Sequence, residues 1–330
     1  MRGSVDPDCA AMVKAARSAG AKEIHEMDVL QARENMRARR SATQLPPRAI
    51  VRSDDQVATS EGRSVRVRIY RPPHASTDPL PVLIYFHGGG WTVGDLDVYD
   101  SMLRDLSAAA ACAVVSTDYR LAPEHPFPAA IEDACICAQW VKQQAGTLGF
   151  DASRIAVGGD SAGGNIAAVL AGLHGIEHDT RFIFQLLVYP NTDLRASGPS
   201  YEEPQEDQII DAEAIRWFIQ KYLGDQDARE NWKASPLLQS DMSKLPAALI
   251  IAAGFDPLRS EGRAYADALS AAGVKLNYVC FERQIHGFFL MTRITSEAGL
   301  AQALAAESLR AAFDTHATPC VFPDQRHVTS

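Results

Sequence analysis

Arg154-Ile155-Ala156-Val157-Gly158-Gly159-Asp160-Ser161-Ala162-Gly163-Gly164-Asn165 runs a short apolar strand straight into a serine set among small residues. An alanine- and leucine-rich helix pattern follows over residues 165–173. A strand that turns at once into a helix must fold back tightly, and the residue at its tip is then held in strained backbone. A side chain at Gly159 or Gly163 would clash in such a turn, so those places need glycine or another small residue. The helix behind Ser161 aims its first backbone N–H groups and its positive dipole end at the space in front of the serine. A Gly-x-Ser-x-Gly string alone recurs by chance in roughly one chain in ten of this length. Its weight therefore depends on what accompanies it.

Upstream, His87-Gly88-Gly89-Gly90 follows a second apolar strand, Val82-Leu83-Ile84-Tyr85-Phe86. A glycine run at a strand end lets backbone N–H groups approach a substrate oxygen unobstructed. The N–H groups of Gly88, Gly89 and Ala162 are the expected donors to an oxyanion. One such donor is worth about 2.7–4 kcal/mol of transition-state stabilisation.

A serine nucleophile needs a base, and the base needs an acid to orient it. Of nine histidines, His286 alone heads a loop just past a late strand, residues 276–281. A histidine placed there reaches over the carboxyl edge of a parallel sheet, where Ser161 must also lie. Asp256 ends another apolar strand, residues 248–253, and is the expected acid. It also reads as a helix N-cap before Leu258-Arg259-Ser260-Glu261, and the two roles are compatible. Glu261 and Glu282 are the alternative acids. The order Ser161, Asp256, His286 is that of the α/β hydrolases.

Five ordered motifs carry a closer resemblance. They are His87-Gly88-Gly89-Gly90-Trp91, Asp118-Tyr119-Arg120-Leu121-Ala122-Pro123-Glu124, Gly159-Asp160-Ser161-Ala162-Gly163-Gly164-Asn165, Asp256-Pro257-Leu258-Arg259 and His286-Gly287-Phe288. Together, from about Val65 to Phe313, the chain resembles the hormone-sensitive-lipase-like branch of the α/β hydrolases, which includes many bacterial carboxylesterases. The resemblance implies a triad of Ser161, Asp256 and His286, an oxyanion hole at Gly88, Gly89 and Ala162, and a helical cap assembled from the N-terminus and an insertion. Ser260 departs from the pattern, standing where members often carry an acid. A small structural effect is expected there, with the triad intact.

Composition sets the bounds. A chain of 330 residues that is 46% hydrophobic suits one large α/β domain with an accessory cap. A net charge of −9 argues against a nucleic-acid partner. No apolar run reaches membrane-spanning length, and Met1-Arg2-Gly3-Ser4 lacks the apolar core of a signal peptide. Those first residues also read as vector-derived. The expected location is the cytoplasm, where the six cysteines stay reduced. Cys112, Cys135, Cys137 and Cys280 read as small core residues. No metal and no cofactor is expected. The partner is a small-molecule ester, with a homodimer left open.

Strands alternate with helices: residues 82–86, 113–117, 155–157, 182–189, 248–253 and 276–281. That alternation predicts an α/β-hydrolase fold with a mainly parallel central sheet flanked by helices. Val65, Val67 and Ile69 alternate with polar residues, the pattern of a half-exposed antiparallel strand. Residues 1–47 read as N-terminal cap helices, with Ile24, Met27 and Leu30 at helical spacing before Pro46-Pro47. The catalytic core occupies 48–193 and 236–316. The cap insertion, 194–235, contains the amphipathic helix Ala212–Leu223. Residues 317–330 read as a frayed tail.

Around the site, Trp91 reads as a wall of the acyl pocket or as ordinary core. Asp160 and Tyr189 are further pocket candidates, and Phe288 is expected to shape the alcohol side. Asp118, Tyr119, Arg120 and Glu124 read as a salt-bridge network behind the glycine loop. A serine carboxylesterase acting on short- to medium-chain acyl esters through an acyl-enzyme is the leading reading. A non-catalytic small-molecule receptor on the same fold, or a lactonase or amidase, is the alternative. A lipase for long-chain fats is disfavoured by Glu202, Glu203, Glu206 and Asp207 in the cap insertion.

Overall fold

A computed structural model describes residues 3–49, 51–73, 79–177, 181–203 and 207–315. The frayed-tail reading of 317–330 and the acidic Glu206 fall outside them. The strands are β1 Arg52–Ser60, β2 Arg63–Arg71, β3 Leu80–Phe86, β4 Ala113–Asp118, β5 Phe150–Asp160, β6 Phe184–Val188, β7 Ala247–Phe255 and β8 Leu276–Ile285. They form one eight-stranded sheet in the order β1-β2-β4-β3-β5-β6-β7-β8. β2 runs antiparallel to both its neighbours, and β4 through β8 are parallel.

The helices are α1 Pro7–Ser18, α2 Val29–Thr43, α3 Asp100–Ala110, α4 Ala129–Leu148, α5 Ala162–Glu177, α6 Ala212–Leu223, α7 Arg259–Ala271 and α8 Ser296–Thr315. Central strands are apolar on both sides because both sides are covered. Val82, Ile84 and Phe86 of β3 share one core with α4, α5 and α7. Leu83 and Tyr85, one residue out of phase, share the opposite core with α3 and α8. The alternation repeats in β7, where Ile250 joins the first core and Leu249 and Ile251 the second.

Parallel strands deliver their ends to one edge. His87 follows β3, Ser161 follows β5, Tyr189 follows β6, Asp256 follows β7 and His286 follows β8. The registers Phe86↔Gly159, Asp160↔Val188 and Phe255↔Ile285 keep those ends level. The turn after β5 is as tight as the sequence requires. Ser161 sits at φ +55°, in the left-handed region that costs a side-chain-bearing residue on the order of 1–3 kcal/mol. A Cβ on Gly163 would lie 1.9 Å from the Phe86 carbonyl oxygen, and one on Gly159 would lie 2.4 Å from the Gly163 carbonyl carbon.

Three expectations need correction. Ile24 and Met27 do not continue into a helix with Leu30. Ile24–Glu26 is a single 3-10 turn, and Leu30 opens α2 with 68% of its surface exposed. The Asp118–Glu124 segment is not one ion network. Arg66 pairs with Asp118, Arg120 with Glu132 and Asp133, and Arg33 of α2 with Glu124. Cys135 and Cys280 are only half-buried, while Cys112 and Cys137 are buried as expected.

Gly163→Ala should cost at least about 3 kcal/mol of stability, because backbone rather than a movable side chain occupies the space. A thermal melt matching the wild type would show that the turn can open.

Candidate active site

Ser161, His286 and Asp256 form a continuous hydrogen-bonded line. Ser161 Oγ lies 3.0 Å from His286 Nε2, and His286 Nδ1 lies 2.7 Å from Asp256 Oδ2. The carboxylate can only accept, so Nδ1 carries the proton and Nε2 is left to accept from the serine hydroxyl. The Asp256 side chain is fully buried. Its other oxygen, Oδ1, accepts from the Leu258 N–H at 2.8 Å. Asp256 thus closes a side-chain turn ahead of α7 and faces His286 at once; it is not the helix N-cap expected of it, a position that Leu258 takes without a side-chain bond. Glu261 and Glu282 do not reach His286. Buried Glu261 accepts from the N–H groups of Thr192 and Asp193 and from the Tyr201 hydroxyl. Glu282 lies exposed on β8.

The glycine loop differs from expectation at one residue. The N–H of Gly88 is already engaged, 2.9 Å from the Tyr99 hydroxyl oxygen and 3.1 Å from Asp160 Oδ1. Gly88 is therefore not available as an oxyanion donor. Among the described residues, no hydrogen bond uses the N–H of Gly89, Gly90 or Ala162. These three line the cavity in front of Ser161, and Gly88 does not. The loop turns here because Thr92 and Val93 both donate to the Gly89 carbonyl, with Gly89 at φ +107° and Gly90 at φ +56°.

Behind this loop lies a buried polar layer. Asp160 accepts from the Tyr85 hydroxyl at 3.0 Å and the Tyr99 hydroxyl at 2.8 Å, besides Gly88. Burial pushes its carboxyl up to about 6, against the pull of the two hydroxyls. His87 is fully buried, which lowers its pKa, and its Nδ1 lies 2.8 Å from the Gly88 carbonyl oxygen. Tyr119 donates to the His87 carbonyl at 2.8 Å and stacks on the imidazole with centroids 4.3 Å apart. Asp160 and Tyr119 therefore hold the glycine loop by side chain and by backbone. Arg33 grips the same region from α2. Its Nε donates to the Thr92 carbonyl, and both Nη atoms meet Glu124 at 2.7 Å.

A cavity of about 410 Å³ opens onto Ser161 and His286. Trp91 lines it and also stacks on Tyr222 with ring centroids 4.2 Å apart, so wall and core roles coexist. Asp160 reaches its edge. Tyr189 and Phe288 are not in the wall. Tyr189 lies behind the histidine, its ring 4.6 Å from the His286 ring, and Phe288 packs on Tyr189 and Phe281. Most of the rest of the wall comes from α1, residues 21–27, α2, residues 208–210, α6 and the 287–294 segment. Sequence reading missed the α2 residues because their face mixes apolar and cationic side chains. Gly90 was missed because one glycine in a run looks like the next. Ser260 bonds to Ser200 at 2.7 Å, away from the histidine, in keeping with the small effect expected there.

A hydroxyl within reach of an oriented imidazole, in a cavity lined by three residues with unused N–H groups, is equipped for acyl transfer. Comparisons with known proteins agree. Residues 83–290 match the family described as alpha/beta hydrolase fold. The chain is 39% identical over 282 residues to the carboxylesterase NlhH of Mycobacterium tuberculosis, covering 84% of this chain and 88% of that one. It is 36% identical over 320 residues to an ethyl acetate hydrolase of Pseudomonas putida, covering 93% and 99%. Among solved structures, an alpha/beta hydrolase from the metagenome of Lake Arreo superposes with a TM-score of 0.90 at 35% identity, covering 95% of this chain and all of that one. The fold and these relatives define a carboxylic ester hydrolase. The chain belongs to the hormone-sensitive-lipase-like branch of the alpha/beta-hydrolase family.

The raised pKa of Asp160 has a sign that can be tested. Its folded value, about 6, lies above the unfolded value of ~3.9. The folded chain therefore binds this proton more tightly. That contribution to stability is complete below ~pH 4 and is lost as pH rises through about 6. Asp160→Asn cannot titrate, so its melting temperature should gain on the wild type between pH 4 and pH 7. Parallel melting curves across that range would refute the reading.

Proposed function

We propose that Ser161 attacks the ester carbonyl, His286 takes the serine proton and returns it to the leaving alcohol, and Asp256 holds the imidazole and stabilises its charged form. The observation that carries this is the unbroken Ser161–His286–Asp256 line at 3.0 and 2.7 Å. The N–H groups of Gly89, Gly90 and Ala162 bind the developing oxyanion, replacing the Gly88 assignment. Water then cleaves the acyl-enzyme by the same proton path in reverse.

The substrates are short- to medium-chain acyl esters. A cavity of about 410 Å³ near the small end of ligand pockets supports that range. Residues 1–47 and 194–235 act as the cap over a core of 48–193 and 236–316. A non-catalytic receptor is disfavoured because His286 stands within hydrogen-bonding reach of Ser161. Lactones and amides can be opened by the same groups, and the esterase relatives favour esters. Among the described residues no helix is long and apolar enough to cross a membrane. Buried free thiols at Cys9, Cys112 and Cys137 support the cytoplasm as the location. β8 is the last strand of the sheet, and its edge before Arg283, where the N-terminal segment bonds, supports a homodimer, which light scattering would read directly.

Ser161→Ala should fold as the wild type and retain no more than a few per cent of the rate on p-nitrophenyl butyrate. A fluorophosphonate should label Ser161 alone. Substantial activity in the variant, or a label mapped to another serine, would refute the assignment. Asp256→Asn should lower kcat by several orders of magnitude while leaving the melting curve nearly unmoved, because the wrong imidazole tautomer would be held.

A further inference from the structure

The cavity wall carries an excess of positive charge in a protein whose net charge is −9. Its charged lining residues are Arg17, Lys22, Arg39 and Arg40 against Glu23 and Asp160. Most of these are already answered. Arg17 Nε lies 3.0 Å from Glu23 Oε1, Arg40 lies 3.8 Å from Asp100, and Asp160 accepts from two tyrosines and Gly88. Lys22 stands exposed.

Arg39 is different. Among the described residues its guanidinium makes no hydrogen bond or ion pair, although the side chain is half-buried. Glu23 acts on it only at a distance and is held by Arg17 and by its own turn. Arg39 stands in the middle of the α2 face turned to the cavity, where Ala32, Asn35, Met36, Arg39, Arg40 and Thr43 recur at three- and four-residue steps. The wall around that face is apolar, with Ile24, Met27, Ile210, Leu290 and Met291. An unanswered cation in such a wall is a standing cost unless a ligand completes it. Burial correspondingly lowers the Arg39 pKa, yet an arginine stays charged at any working pH.

We propose that Arg39 is a specificity-determining residue that binds a carboxylate carried by the substrate, so that this chain prefers esters with an acid group at the end remote from the reacting carbonyl. The inference rests on the ester-hydrolase reading above and narrows it. The placement fits. Arg33 holds α2 to the backbone beside the glycine loop, and Arg39 lies six residues on, about 9 Å along the helix axis. A carboxylate several bonds from the ester therefore meets the planar guanidinium, which can grip it with two parallel hydrogen bonds. The surrounding negative protein repels anions at long range, so recognition depends on this local charge.

The test compares pairs matched in carbon-chain length, one member anionic. For an acid group on the acyl side these are monoethyl succinate, adipate and suberate against ethyl butanoate, hexanoate and octanoate. For the alcohol side the pair is 6-acetoxyhexanoate against hexyl acetate. The readout is the anionic-to-neutral ratio of kcat/KM in the wild type and in Arg39→Gln, Arg39→Leu, Arg39→Lys and Arg39→Glu. For at least one pair the ratio should fall about ten-fold or more in the glutamine and leucine variants. It should fall further in the glutamate variant and stay closer to wild type in the lysine variant. Glutamine and lysine keep the polar stem and carry the test if the leucine variant does not fold. A ratio unchanged across the variants for every pair overturns this inference alone. Failure of the wild type to hydrolyse either member of any pair overturns the ester reading and this inference with it.

Discussion

The Gly163 backbone rests against the carbonyl of Phe86, with no room for a Cβ between them. That contact joins the end of β3 to the start of α5, across the pairing of β3 with β5. Because it is backbone against backbone, it sets the distance between the glycine loop and Ser161 without relying on any side-chain rotamer. Ser161 accepts a left-handed φ as a consequence. The stability lost to that strain is recovered elsewhere, in the apolar strand β5 and helix α5 that anchor the two ends of the turn. Acyl transfer needs its nucleophile and its anion-binding groups within tenths of an ångström of fixed positions, and this contact supplies that rigidity.

Polar side chains buried behind the loop extend the same logic. Tyr85 and Tyr99 reach Asp160 from β3 and from the residue before α3, and Tyr119 reaches His87 from the end of β4. Each of these hydroxyls has a partner, and among the described residues only the His87 Nε2 of this layer is left without one. On the far side, Glu261 gathers the N–H groups of Thr192 and Asp193, and the neighbouring Asn191 N–H donates to the Ser161 carbonyl. The serine backbone is thus held from two directions by groups that never touch a substrate.

The legible parts of the sequence were those where burial leaves a strong pattern. The inner parallel strands are legible because both faces are covered, and half-buried β8 by its apolar centre, although β5 and β8 run beyond those centres. β1 was missed because Arg-Ser-Asp-Asp-Gln at an exposed sheet edge reads as loop, and only its pairing with β2 makes it a strand. Ser161, Asp256 and His286 were readable because each sits one residue past a strand. The role of Gly88 was not. Which N–H in a glycine run faces the cavity depends on Asp160 and Tyr99 behind it, and those contacts are tertiary. Tyr189 and Phe288 were close in sequence to the right places, yet their rings turn to the back of His286.

The N-terminal helices also determine when the site can exist. The Asp6 N–H donates to the Arg283 carbonyl, and Cys9 bonds to Gln284, two residues before His286. Val5, Cys9 and Val13 pack on Ile285 and Met291. Residues of α1 therefore dock on residues synthesised 275 positions later. Until residue 291 has emerged, the apolar side of α1 has no surface to cover it, and the roof of the cavity stays open. Closing that circuit is a late event of folding, and it shields the nucleophile only once the base beside it is in place.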